Sequence, residues 1–135
     1  MSKKFTPGIA TDGGAETPLH AAAWNGDYAE IEQLINSGID VNVRDSAGET
    51  PIHGASAWGH HDAVLTLIAF GANVNAAEAS GLTPLHWAAS HGNADTIKVL
   101  LDAGALAEVQ DIRGLTPVDL AKHRNQADIN SSFDE

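Results

Sequence analysis

Apolar residues recur along this chain in short helical stripes that stop at a glycine and begin again at a threonine. After Thr17 they fall at Leu19, Ala22 and Ala23, and Asn25-Gly26 ends the run. Spacings of three and four put them on one face of a helix. A second stripe of Ile31, Leu34 and Ile35 predicts a helix from about Asp27 to Asn36, with Gly38 as its C-terminal cap. The stripe returns as Val64, Leu67 and Ile68 before Gly71, and as Ile97, Leu100 and Leu101 before Gly104. Between helix pairs run short polar stretches. In one of them, Asp45-Ser-Ala-Gly48 has the make-up of a β-turn.

The stripes are copies of one another. Thr17-Pro-Leu-His20, Thr50-Pro-Ile-His53 and Thr83-Pro-Leu-His86 start 33 residues apart, and Thr116-Pro-Val-Asp119 follows at the same interval. Glycines keep the period at 26, 59 and 92, at 38, 71 and 104, and at 48, 81 and 114. Each tetrapeptide reads as a helix start. Threonine supplies the N-cap oxygen, and proline takes the first helical position, whose amide would be unpaired anyway. Histidine stands third, where a capping-box residue reaches back to the threonine. Thr17, His20, Thr50, His53, Thr83 and His86 are therefore read as structural. A two-helix unit of this kind cannot bury its own apolar face and must stack on its neighbours.

With this period and the string Thr-Pro-Leu-His-x-Ala, the chain resembles the ankyrin-repeat family from roughly Asp12 to Phe133. The resemblance implies an all-α repeat solenoid of stacked helix-turn-helix units with β-turn or hairpin-like tips. Units fall at 12–44, 45–77 and 78–110, with a truncated one at 111–135; residues 12–135 read as one domain behind a tail at 1–11. The first unit has Ala15 where the others have a turn glycine, and the third has Glu108 where its predecessors have Asn42 and Asn75. The last carries Asp119 for histidine, Lys122 at a core-facing position and Asn125 for glycine, and its second helix would rest on Ile129 and Phe133. That polar drift is the mark of a C-terminal cap.

The resemblance also implies binding of another protein through the concave side, formed by the turn tips and the exposed face of each first helix. Candidate contact residues are Trp24, Trp58, Trp87, Glu16, Glu49, Asn25, His91 and Ser46. Helix geometry supports the choice of indoles. Counted from each threonine, the second, fifth and sixth residues face the core, and the fourth, seventh and eighth lie about half a turn away. All three tryptophans belong to the second group, which predicts an aromatic patch. Trp87, beside the core stripe, is equally well placed as filler.

Charge narrows the choice of partner. The chain has 18 acidic and 7 basic residues, a net charge of −11, and between Phe5 and Ile97 Arg44 is the only lysine or arginine. Such a field repels phosphate, which argues against nucleic acid and anionic membranes and for a protein with a basic patch. Acids gather at the tips: Asp12, Glu16, Asp45, Glu49, Glu78 and Asp111. Asp12, Asp45 and Asp111 are expected to cap turn amides, whereas Glu16 and Glu49 have no evident backbone duty. With no cysteine, disulfides, thiolate catalysis and cysteine-based zinc sites are excluded. The start has no signal-peptide pattern and no apolar run nears the ~18 residues of a membrane span, so the reading is a soluble, cytoplasmic monomer. No phosphate loop, zinc-helix motif or nucleophile elbow is present. His60 and His61 face different ways and His91 lies a unit along, so neither enzyme activity, metal nor cofactor is expected. Phe70 and Leu106 read as isolated exposed apolar residues. The alternatives are a structural subunit that self-associates end to end and, less favoured, a histidine-based metal sensor or enzyme.

Overall fold

A computed structural model describes residues 17–124 and shows seven helices with no strand among them. They are α1 (Pro18–Asn25), α2 (Tyr28–Asn36), α3 (Pro51–Ala57), α4 (His61–Ala69), α5 (Pro84–Ser90), α6 (Ala94–Asp102) and α7 (Pro117–Arg124). The first helices stack in the row α1–α3–α5–α7 and the second helices in the row α2–α4–α6, so the architecture is the expected repeat solenoid.

Leu19, Ile52 and Leu85 fill the space between rows, and Ile31, Val64 and Ile97 meet them from the second helices, all fully buried. Burying each such side chain contributes about 2 kcal/mol. Ala22, Ala55, Ala88 and Ala121 are also buried; their small volume lets the first helices approach closely.

The second helix α2 ends at Asn36 as the sequence suggests, but its cap falls one residue before the glycine. Ser37 is the cap of α2 and Gly38 follows it at φ 114°. The Gly38 amide donates to the Ile35 carbonyl (2.9 Å) and the Ile39 amide to that of Leu34 (3.2 Å), a double closure that requires a left-handed residue. Gly71 and Gly104 repeat it after α4 and α6.

Gly26 and Gly59, behind the first helices, have a second constraint. A Cβ there would lie 2.7 Å from the His60 ring and 2.9 Å from the Asn93 carboxamide. Those side chains tie unit to unit: His60 Nε2 donates to the Trp24 carbonyl at 3.0 Å, and Asn93 Nδ2 to that of Ala57 at 2.9 Å.

The tetrapeptide histidines bridge units as well. His20 Nε2 lies 2.7 Å from the Glu49 carbonyl, His53 Nε2 2.9 Å from that of Leu82, and His86 Nε2 2.9 Å from that of Leu115. A nitrogen facing a carbonyl must carry the proton, so Nδ1 is an acceptor. In the second and third units it receives the Thr50 and Thr83 amides at 3.0 and 3.1 Å.

In the last described helix Asp119 keeps the reciprocal cap: its carboxylate receives the Thr116 amide at 2.9 Å, and its amide donates to the Thr116 hydroxyl at 3.2 Å. Lys122 departs from the sequence reading. Its counterparts Ala23, Ser56 and Ala89 are buried, but Lys122 is exposed, because no described helix packs on the far side of α7. Asn42 straps its loop to the next by accepting from the Asn73 amide (2.8 Å), and Asn75 does the same to Leu106 (2.8 Å). Glu108 has no following loop among the described residues to strap. Ala15, Asn125, Ile129, Phe133 and the tail at 1–11 lie outside the described residues.

Candidate functional site

The turn tips form a ridge held by backbone and carboxylate together. Asp45 Oδ1 accepts from the Ala47 and Glu49 amides at 3.0 and 2.9 Å, and Asp111 Oδ1 from those of Arg113 and Leu115 at 2.8 and 2.9 Å. Glu78, which the sequence left without such a role, takes the Ser80 and Leu82 amides at 2.6 and 3.2 Å. Successive tips join through Ala79 N–H to Ala47 O (2.9 Å) and Ile112 N–H to Ser80 O (3.0 Å).

Charge along this ridge is uneven. Arg44 Nη1 donates to the Gly48 and Ala77 carbonyls at 2.7 and 2.9 Å, which straps two loops, and among the described residues it makes no ion pair with an acid. At the other end the Arg113 guanidinium meets the Asp111 carboxylate at 2.8 Å. Burial pushes the Asp111 carboxyl up, but the Leu115 and Arg113 amides and the guanidinium outweigh it and hold it below its ordinary value.

Along the row of first helices the aromatic residues form one file. Trp24 and Trp58 meet edge to face with ring centres 5.3 Å apart and planes at 72°. Trp58 lies 5.9 Å from His91, which stacks at 17° on Trp87 with centres also 5.9 Å apart. The geometry follows from sequence offset: Trp58 stands one residue later in its unit than Trp24 does, so its ring turns past the first indole. Trp24 is 45% exposed and Trp58 50%, large areas for rings held in place by each other. Trp87 is different. It is mostly covered, and its Nε1 is buried without a hydrogen-bond partner, so the outward-facing reading fails for this indole and the filler reading describes it better.

Beside Trp24 a groove of about 500 Å³ opens between α1 and α3, bounded by His20, Asp45, Glu49 and Gly54. Glu49 is half-buried; its carboxyl is raised by burial and then by the negative charges of Asp45 and Glu78. Gly54 was not among the expected contacts, yet it shapes this space, since a Cβ there would sit 3.2 Å from Trp24 Cε3. The available signal was its position outside the periodic glycine series.

The structure thus brings together Trp24, Trp58, His91 and Trp87, and sets Glu49 beside Trp24. Asn25 is exposed at the end of α1 and Ser46 at a tip, whereas Glu16 lies outside the described residues. His60 serves the Trp24 carbonyl, and His61 lies on the surface 3.5 Å from Asp62. Phe70 and Leu106 are exposed. Among the described residues no three histidines or acids are grouped to hold a metal ion, and no helix is long and apolar enough to cross a membrane.

Two protein-family models, both described as ankyrin repeats (many copies), match residues 8–55 and 54–101. No curated protein matches the chain.

Proposed function

The chain belongs to the ankyrin-repeat family, whose repeats generally mediate protein–protein interaction, and from that premise we propose that it is a non-catalytic binding module acting as a scaffold or inhibitor. Its contact surface is the concave wall centred on Trp24 and Trp58. The observation that carries this reading is the exposed edge-to-face indole pair. Large aromatic side chains dominate interface energies, and these two are already ordered by the frame, so a partner meets them at low entropic cost.

The acids of the first two tips, with Arg44 turned to carbonyls, favour a partner with a basic patch. A chain without cysteine needs no oxidising compartment, and we place it in the cytoplasm. The test is affinity capture from the native lysate with wild type and with a Trp24→Ala, Trp58→Ala double variant. Loss of a captured protein by the variant, with its helical circular dichroism unchanged, supports the reading. Equal capture by both sinks it.

A further inference from the structure

The slot between a first helix and the next unit's tip is open at both ends of the solenoid, with different chemistry in each. Between α1 and α3 it measures about 500 Å³ and is bounded by Trp24, Asp45, Glu49 and Gly54. Its counterpart between α5 and α7 measures about 120 Å³ and is bounded by Leu82, Trp87, Arg113 and Leu120. The repeat register explains the contrast. Glu49 corresponds to Leu82 and Leu115, and Gly54 to Trp87 and Leu120. Within the α5–α7 slot Leu120 stands where Gly54 does, Leu115 where Glu49 does and Trp87 where Ala21 does, so a leucine and an indole fill what a glycine and an alanine leave open.

Charge differs in the same sense. In the C-terminal slot the acid of the tip, Asp111, is paired with Arg113 at 2.8 Å. In the N-terminal slot, among the described residues, the Glu49 carboxylate has no hydrogen bond or ion pair, although the Glu49 backbone is fixed through its carbonyl to His20 Nε2 at 2.7 Å. Its raised pKa reflects the same unmet charge, through burial and then the nearness of Asp45 and Glu78. An indole beside an uncompensated carboxylate, in a groove that Gly54 keeps open, matches a cation with an apolar stem. Both the ring quadrupole and the carboxylate attract it, and a guanidinium can stack on one while its fork bonds the other.

We propose that the α1–α3 slot is a subsite for an arginine or lysine side chain of the partner protein, with Trp24 as its wall and Glu49 as its counter-ion. The proposal rests on the protein-binding reading above and adds the chemistry of the residue that enters first. Gly54 is a positioning residue here: it acts by leaving room in front of the indole.

The test follows the tryptophan indole N–H signals of the full ¹⁵N-labelled chain by NMR. The probes are acetyl-arginine amide, acetyl-lysine amide, and acetyl-citrulline amide, which keeps the shape of arginine without its charge. The Trp24 signal is expected to move saturably with at least one cationic probe, in the millimolar range, and not with citrulline. Glu49→Gln is expected to weaken that response at least fivefold. A citrulline response equal to that of arginine, or a Glu49→Gln variant that binds as well as wild type, overturns the subsite. So does the absence of any saturable shift. Should Glu49→Gln still capture the partner protein fully while the double tryptophan variant loses it, the concave-face reading stands and only the cation subsite falls.

Discussion

His53 Nε2 donates to the carbonyl of Leu82 across 2.9 Å, while Nδ1 of the same ring receives the Thr50 amide at 3.0 Å. One neutral imidazole therefore starts its own helix and pins the tip of the following unit. A second proton on Nδ1 would displace the Thr50 amide, a donor, and leave the Thr50 hydroxyl oxygen at 3.0 Å as its acceptor, so the amide bond is made by the neutral ring. Burial also favours the neutral ring, pushing His53 down to about 4 from its ordinary 6.5.

Stability should accordingly fall on mild acidification. Above pH 6.5 the ring is neutral in both folded and unfolded chains and nothing is lost. Between about 6.5 and 4 the unfolded chain takes up a proton that the folded chain refuses, so unfolding becomes easier; below about 4 this contribution levels off. The loss from His53 is on the order of 3 kcal/mol at 1.36 kcal/mol per pKa unit. His86, also lowered chiefly by burial, acts in the same direction. Urea midpoints measured from pH 7 to 4.5 should drop, and less steeply in His53→Gln. A flat profile in wild type would contradict this account.

Replacing His53 by alanine should cost roughly 3 kcal/mol, because the Thr50 amide and Leu82 carbonyl both lose a buried partner. Asp119→Ala removes the helix cap at the matching position in the last unit and should cost about 1 kcal/mol. Equilibrium unfolding of the two variants measures the difference; equal losses would mean that the bridge to Leu82 carries no weight.

Gly26→Ala should be worse than Gly38→Ala. Both residues have positive φ, but a methyl at 26 meets the His60 ring at 2.7 Å whereas one at 38 meets nothing within 4 Å. About 1 kcal/mol is expected at 38 from backbone strain alone, and about 2 or more at 26. A Gly26→Ala, His60→Ala double-mutant cycle should show favourable coupling, since removing the ring relieves the clash.

Gly54→Ala sets two effects of similar size against each other. Alanine suits a helix interior by up to ~1 kcal/mol, and the new methyl crowds Trp24 at 3.2 Å. Thermal stability should stay within about 1 kcal/mol of wild type while the tryptophan emission changes as the Trp24 indole moves. Unchanged fluorescence would show that the groove has slack at this point.

Lys122→Ala should leave stability within about 0.5 kcal/mol, because the lysine is exposed despite its core-facing register. A larger loss in urea titration would place its stem against the core.

The 33-residue period, the threonine and glycine that bound each helix and the apolar stripe were enough to establish the stacked helix pairs. These are local instructions, written in propensity, capping and spacing, and repetition made them unmistakable. The outward placement of Trp24 and Trp58 followed from the same counting along one helix. Relations between units were not legible. The bridge from His53 to Leu82, the strap from Arg44 to Ala77 and the fit of His60 against Gly26 span 29 to 34 residues, and only the stacking distance brings them into reach. The same holds for Trp87 and Lys122. Helix phase told which way each side chain leaves the backbone, but whether it meets solvent or another residue depends on its neighbours: His91 stacks on Trp87, while no described helix packs over Lys122.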